Sequence, residues 1–216
     1  YVGNTLKQLR KLVGKDVCIM AGNVATYAGA DYLASCSADI VKVGIGGGSV
    51  CTTRIKTGFG VPNLTAIKQC SRVDRSVVAD GGIRTPGDIV KALAFGADFV
   101  MLGSMLAGTR PTPGPVNTTK DENGNEVQVK IYRGMACREI QDDYHGGMSD
   151  WKTSEGISIE VDYRYTEDEI IADIIGGLRS GLTYGGASTI RELQRKLDYI
   201  RITPAGKTES LPHYGI

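Results

Sequence analysis

Four short runs of unbroken apolar residues, each alternating with a stretch of helical spacing, set the strongest limit on what this chain can fold into. VCIMAG at 17–22 reads as a buried strand, AGADYLASCSA at 28–38 as a helix, and DIVKVGIG at 39–46 as a second strand. The alternation continues with helix-like VPNLTAIKQCSR at 61–72, strand SVVADGG at 76–82, helix TPGDIVKALAFGA at 85–97 with a proline near its start, and strand DFVMLGS at 98–104. Strands that are apolar on both faces belong in a parallel sheet covered on both sides. Each run ends in small or reactive residues: AGN at 21–23, GIGGG at 44–48, ADGG at 79–82 and LGS at 102–104. A closed (β/α) barrel builds its active site from the C-terminal ends of its strands, and an open doubly wound sheet also gathers a site there. A barrel needs eight strands and only four are found, so the chain is either a smaller open fold or half of a barrel whose other half lies elsewhere.

Beyond residue 110 the rhythm changes. PTPGP at 111–115 is a rigid exit, and TTKDENGNEVQVKIYRG at 118–134 places Asn123-Gly124 between β-prone flanks, a hairpin signal. ACREIQDDYHGGMSDWKTSEG at 136–156 has no clean period and reads as a long loop with a task. Residues 166–196 give two helices with glycine-rich joints, YIRIT at 199–203 a short strand, and 204–216 a trailing tail.

Composition excludes several classes. The net charge of +1 points to neither a nucleic-acid surface nor an acidic tail. No apolar run reaches the roughly 20 residues that span a bilayer, and no signal-peptide pattern is present. Five cysteines (Cys18, Cys36, Cys51, Cys70, Cys137) form no CxxC pair, and with only His145 and His213 beside them a dedicated zinc site is not expected. This usage fits a reducing, cytoplasmic compartment. The first residue is Tyr1 rather than methionine, which leads us to expect sequence before it.

Three strand ends offer chemistry. The run Gly46-Gly47-Gly48 lets backbone groups approach an ion or makes a plain tight turn; it is neither a Walker A loop nor a GxGxxG fingerprint. Cys51 follows it directly, where a thiolate would be a strong nucleophile, although a lone cysteine more often only packs. Cys18, read inside a strand, and Cys36 and Cys70, at helical apolar spacing, are of the packing kind. Asp80 ends a strand ahead of Gly81 and Gly82: a carboxylate can accept two hydroxyls, as of a ribose diol, while the glycine amides face a phosphate. Gly103-Ser104 repeats the device on the next strand end. Glu155 and Asp150 are loop carboxylates that serve as acid or base, or are merely solvated, and His145 is a flap candidate.

VKVGIGGGSVCTTR (41–54), VVADGGIRTPGDIVKALAFGADFVMLGSMLAGT (77–109), YRGM (132–135), SEG (154–156) and GGLRSGLTYGGA (176–187) together resemble the IMP dehydrogenase and GMP reductase family, in order and over nearly the whole chain. The resemblance implies an α/β fold, the C-terminal half of a TIM (β/α)8 barrel (strands five to eight) with flap and C-terminal helices. On this reading residues 1–216 are the C-terminal portion of a single catalytic domain, with a hairpin and active-site flap at 111–157. It implies that Cys51 attacks purine C2 to give a covalent thioimidate, with Thr53 and Glu155 moving protons and Glu155 reading the N1 side of the base. It assigns Met135 and Gly156 to the base, Asp80 to the ribose, and Ser49, Gly81, Gly82, Gly103 and Ser104 to the phosphate. The carbonyls of Gly46, Gly48 and Cys51 resemble a monovalent-cation site of the kind that holds potassium.

Which of the family's reactions is expected turns on the flap. Dehydrogenases, which take IMP to XMP with NAD, use a long flap with an adjacent Arg-Tyr pair that activates water. Between Met135 and Glu155 this sequence is short and has no such pair, and HGGMSDWKTSEG resembles the reductase arrangement. The expected activity is therefore an NADPH-dependent GMP reductase, with an IMP dehydrogenase as the alternative, to which the tail YIRITPAGKTESLPH is similar, and a non-catalytic nucleotide-binding or assembly module as a third reading. Arg164-Tyr165 comes after the SEG segment, in the wrong place for a flap dyad. Four positions depart from the family pattern: Gly47 stands for proline, Ala136 for serine, Lys152, a substrate-binding candidate, for arginine, and Ile157 for the reductase lysine. The family assembles as a tetramer, and strands one to four are expected on a separate polypeptide or upstream of Tyr1.

Overall fold

The computed structural model describes residues 1–164 and 166–212. Tyr165 of the Arg164-Tyr165 pair, His213 and the end of the expected tail therefore lie outside the described residues. Helix α1 (Val2–Val13) leads into β1 (Met20–Val24), α2 (Tyr27–Ser35) and β2 (Ile40–Val43). Next come α3 (Thr53–Thr57), α4 (Asn63–Cys70), β3 (Ser76–Asp80), α5 (Pro86–Ala94) and β4 (Phe99–Met101). The second part holds β5 (Asn117–Lys120), β6 (Glu126–Arg133), α6 (Arg138–His145), β7 (Ser158–Asp162), α7 (Asp168–Tyr184), α8 (Ile190–Arg195) and α9 (Pro204–Glu209).

Strands β1 to β4 form one parallel sheet in sequential order, and β5 to β7 a second, antiparallel one. The order of the parallel sheet never reverses, as it would at the switch point of a doubly wound fold. It is the progression of a barrel stopped after four strands. Both inner strands are apolar and covered, with Val41, Val43, Val77 and Ala79 at 1% exposure or less. The outer two are open edges: Met20, Phe99 and Met101 remain 40–54% exposed.

The same device starts β2 and β4. The Asp39 carboxylate accepts the Ile19 N–H at 2.7 Å, and the Asp98 carboxylate accepts the Val77 N–H at 2.9 Å. Each acid follows a buried alanine (Ala38, Ala97) and ties its strand to the preceding one at the end away from the reactive residues. The backbone bond from Ile19, with Arg10 beside it, holds the Asp39 carboxyl below its ordinary range. Helix α5 starts with a capping box between Thr85 and Asp88, its proline at the first turn. Helix α7 can lie against α5 because Gly177 and Gly181 face Pro86 and Val90, where a Cβ would come within 2.4 and 2.7 Å.

Several expectations need correction. The first strand starts at Met20 rather than Val17, and Cys18 lies outside it, exposed. The 136–156 segment contains α6, so it is not a formless loop, and Cys137, its buried N-cap, acts as packing. YIRIT is not a strand: 197–203 carry no ladder, Tyr199 packing on Phe95 and Lys68 instead, and the tail that follows holds α9, started by the Thr203 side chain and Pro204. Helices α1 and α3 and strand β7 were not read at all. The expected hairpin is present, its turn closed by Asp121 Oδ1 accepting from Asn123 and Asn125 N–H, with Gly124 at φ 84.

Lys130 of β6 is 3% exposed and donates to the carbonyls of Thr109, Arg110 and Thr112 and to the Thr112 hydroxyl at 2.5–3.2 Å. Its ammonium fastens the antiparallel sheet to the segment that leaves β4. Lys130→Met leaves three carbonyls without their donor and should cost about 2 kcal/mol, lowering Tm by roughly 4–8 °C. The exposed Lys120→Met should leave Tm unchanged in the same melting experiment.

Candidate active site

Two turns that lack side chains meet at the C-terminal end of the parallel sheet. A Cβ on Gly81 (φ 95) would lie 2.9 Å from the Gly47 carbonyl carbon and 3.0 Å from the Gly48 nitrogen, so the glycine run after β2 rests directly on the turn after β3. Positive φ at Gly46, Gly81 and Gly82 gives each turn its shape. Asn63, at the start of α4, clamps the second turn by donating to the Gly81 carbonyl at 2.6 Å and the Asp80 carbonyl at 3.3 Å. The acid, both glycines after it and the cysteine loop are thereby brought together.

Beyond the glycines the chain turns, the Cys51 N–H donating to the Gly48 carbonyl at 3.1 Å, and Cys51 emerges half-buried ahead of α3. Its thiol donates to Thr53 Oγ1 at 3.2 Å, and the Thr53 hydroxyl donates to Glu155 Oε2 at 2.7 Å. Thr53 and Glu155, 102 residues apart, thus join Cys51 in one ordered proton path from sulfur to carboxylate. The backbone enforces it: the Thr52 N–H donates to the Glu155 carbonyl at 2.8 Å, Cys51 pairs with Gly156 in an antiparallel bridge, and the Ile157 N–H donates to Val50 at 3.0 Å. Gly156 is required because a Cβ would sit 3.0 Å from the Cys137 nitrogen. The other thiols differ from Cys51 in burial. Cys36, Cys70 and Cys137 are buried, and burial pushes the Cys70 thiol up to about 11.

The remaining candidates fall into three positions. Ser49 and Ser104 place their hydroxyls 2.9 Å apart, joining the cysteine loop to the end of β4. Gly103 beside them is shaped by protein as well, because the Tyr132 hydroxyl stands 2.5 Å from where a Cβ would be. Lys152, with Trp151, Gln141 and Ala136, shares a cavity of about 380 Å³ with Glu155. Met135 is 74% exposed, its carbonyl held by Gln141 at 3.1 Å. Asp150 and His145 are exposed on the flap, apart from the relay.

Sequence reading missed four residues here. Lys42 Nζ lies 3.0 Å from the Asp80 carboxylate, and Asn23 Nδ2 donates to the same oxygen at 2.9 Å and to the Gly44 carbonyl at 2.8 Å. Asp80 is therefore a fixed acceptor with its direction set by two neighbouring strands. Tyr132 is the third, its phenol pushed above the ordinary range by burial and then by the Asp80 charge. Asn63, the clamp already described, is the fourth. The available signals were the polar Lys42 inside an apolar strand and the tyrosine of YRGM.

Contact between the two turns predicts opposite outcomes for two alanines. Gly81→Ala forces a positive φ and a main-chain clash and should destabilise by at least about 1–2 kcal/mol. Gly47→Ala, whose Cβ would meet nothing nearer than 3.6 Å, should stay within about 0.5 kcal/mol of the parent. Thermal denaturation of the two variants checks both.

Comparison with known proteins identifies the family. A family model described as the IMP dehydrogenase / GMP reductase domain matches residues 1–213. Among curated relatives, inosine-5'-monophosphate dehydrogenase of Thermoplasma acidophilum is 45% identical over 97% of this chain and 44% of its own length. GMP reductase 1 of Homo sapiens is 42% identical over 88% of this chain and 55% of its own. The chain spans about half the length of the curated relatives it matches. A crystal structure of inosine 5' monophosphate dehydrogenase from Legionella pneumophila aligns with TM-score 0.80 and 68% identity over 95% of this chain and 62% of that one. A GMP reductase from Trypanosoma brucei, in complex with guanosine 5'-monophosphate, aligns with TM-score 0.89 and 40% identity over 99% of this chain and 44% of its own. With its four parallel strands, its thiol loop and a family match over nearly its whole length, the chain belongs to the IMP dehydrogenase / GMP reductase family.

Proposed function

We propose that this chain carries the thiol, the proton relay and most of the nucleotide cradle of a GMP reductase, which converts GMP to IMP and ammonia with NADPH. The supporting observation is the ordered path from Cys51 through Thr53 to Glu155, at 3.2 and 2.7 Å, closed by a flap that contains no Arg-Tyr pair between Met135 and Glu155. A reaction that ends in hydride addition needs no activated water, and the segment between Met135 and Glu155 has no adjacent Arg-Tyr pair.

In the proposed mechanism the phosphate sits against Ser49, Ser104 and the turn amides of Gly81 and Gly82, near Gly103, and Asp80 accepts the ribose hydroxyls. Lys42 and Asn23 hold that carboxylate in place before the nucleotide arrives, so its ordering contributes no entropy cost on binding. Cys51 passes its proton to Thr53 as Thr53 passes its own to Glu155, and the sulfur adds to C2, whose π electrons move to the ring nitrogen. The proton returns from Glu155 to the exocyclic amine, the C2–N bond breaks, ammonia leaves, and a thioimidate remains on Cys51. NADPH supplies a hydride to C2 of that adduct. The C–S bond then breaks, the thiolate is regenerated, and IMP departs. Met135, Gly156 and Lys152 line the base side of this cradle.

Two bound groups fit the residues present. The Gly46, Gly48 and Cys51 carbonyls are hard oxygen donors of the kind an alkali cation such as potassium takes; the Gly48 oxygen accepts one N–H from Cys51 and keeps a second lone pair. Trp151, Met148 and Gln141, around the cavity beside Glu155, give the flap an apolar face for a nicotinamide. The open edges of β1 and β4 would pair with four further parallel strands, supplied by the same polypeptide or another, in a protein that assembles as a homotetramer.

A dehydrogenase that takes IMP to XMP with NAD is the second reading, favoured by 68% identity to the Legionella pneumophila enzyme. Paired assays separate the two: GMP with NADPH should consume reduced nicotinamide, whereas production of reduced nicotinamide from IMP and NAD would replace the reductase reading by the dehydrogenase one. Cys51→Ala should abolish turnover while GMP still binds; undiminished turnover would remove the thiol mechanism. Binding of GMP without turnover in the unsubstituted protein would favour a non-catalytic module. Iodoacetamide should label Cys51 and the exposed Cys18, and saturating GMP should protect Cys51 alone by about tenfold or more, as read by peptide mass spectrometry.

A further inference from the structure

A cavity of about 1240 Å³ lies at the opposite end of the parallel sheet from Cys51. Ser76 at the start of β3 lines it and Asp80 at the end of the same strand belongs to the catalytic cradle, so about 13 Å of strand separates them. The C-terminal ends of α4 and α5 form its walls, and the non-helical segment 197–201, the stretch that sequence alone reads as a strand, crosses it.

The lining divides into two chemistries. The lining carries six cations (Lys68, Arg72, Arg75, Lys91, Arg191, Arg201) against two acids, Asp74 and Asp98, in a chain whose total charge is only +1. Arg191 is paired with Asp98 at 3.2 Å, and Lys91 with Asp88 at 2.9 Å. Lys68, Arg72 and Arg201 have no carboxylate partner among the described residues. Three unneutralised cations held around one concavity repel one another, and an anion with several charges relieves that repulsion. The guanidinium groups favour phosphate, whose oxygens match their planar fork.

An aromatic pair stands among these cations. Phe95 and Tyr199 lie tilted against each other at 55° with centroids 4.8 Å apart, and Lys68 donates to the Tyr199 hydroxyl at 2.9 Å while lying 4.4 Å from its ring centre. Tyr199 and Ile200 remain 45% and 83% exposed, so a flat apolar surface faces outward beside the cations. The cavity is somewhat larger than the usual range of about 300–1,000 Å³ for small-ligand sites, enough for a ring, a sugar and a chain of phosphates.

We propose that this cavity binds a nucleoside triphosphate, with its phosphates on Lys68, Arg72 and Arg201 and its base against Phe95 and Tyr199. The site is separate from the monophosphate cradle at Cys51 and does not depend on which reaction that cradle performs. Calorimetric titration of the purified protein with ATP, and separately with inorganic tripolyphosphate, tests it, each in the presence of saturating GMP. ATP should bind at one site, more weakly as salt rises. The double variant Arg72→Ala/Arg201→Ala should lose affinity for both probes by about tenfold or more. Tyr199→Ala should weaken ATP roughly fivefold and leave tripolyphosphate unchanged. Absence of ATP binding, ATP affinity equal to the parent's in the double variant, or displacement of ATP by GMP would overturn the proposal. Equal weakening of both probes by Tyr199→Ala would overturn the placement of the base. Protection of Cys51 by GMP is read independently, so failure here leaves the catalytic reading standing and the reverse is also true.

Discussion

The contact between the glycine run at 46–48 and the Gly81 turn is the constraint on which the site depends. Strand spacing in a parallel sheet is just under 5 Å, and two connecting loops of ordinary residues would hold each other apart by at least their side chains. Here the main chains themselves touch, with 2.9 Å left where a Gly81 Cβ would stand. That closeness seats the loop that leads to Cys51 on the turn that follows Asp80, and the Ser49–Ser104 hydrogen bond joins the same loop to the end of β4. Composition follows from the geometry: a chain with 29 glycines has placed several of them where backbone must meet backbone.

Placing the Cys51 thiol at the end of the sheet is only half of the arrangement, because the proposed mechanism also needs a destination for its proton. The flap meets that need through main-chain pairing. Glu155 arrives beside Thr53 because its own carbonyl accepts the Thr52 N–H and Gly156 pairs with Cys51. A carboxylate on a freely moving loop would spend conformational entropy each time it engaged the hydroxyl. Tied by a short ladder, it is already in place. The antiparallel sheet that anchors the flap is in turn fastened to the parallel one by Lys130, so the relay rests on both halves of the fold.

The parallel half of the molecule was legible because its physics is local. Unbroken Val/Ile runs, helical spacing and turn glycines recur in VVADGG and TPGDIVKALA, and strand, helix and reactive end are found where they were read. The candidate positions Asp80 and Ser104 stand at the ends of apolar runs and Cys51 just past the glycine loop, so the sequence pattern alone singles them out as candidates. Sequence could not show that Lys42 and Asn23 converge on Asp80, since that depends on the pairing of three different strands. It also concealed α6 within a polar segment whose helix is exposed and lacks an apolar stripe, and β7, whose residues become a strand only when β6 is there to pair with. YIRIT failed in the opposite direction: its alternating β-branched and aromatic residues suit a strand, yet Tyr199 finds Phe95 and Lys68 instead of a ladder.

The sheet's two ends and its two edges therefore have different tasks. The end that carries Cys51 is made of backbone, glycine and small polar groups; the opposite end holds cations and an aromatic pair. The edges offer unpaired main chain, and exposed Met20, Phe99 and Met101 lie along them. An open parallel edge with apolar side chains readily recruits another strand, and a parallel sheet is stable only when both faces are covered. Strands that completed the barrel would bury those side chains and enclose the Asp80, Lys42 and Asn23 cluster, which now faces the open interior. Removing that cluster from water would strengthen each of its charge interactions. Closure of the barrel would thus stiffen the Asp80 cluster as well as stabilise the fold.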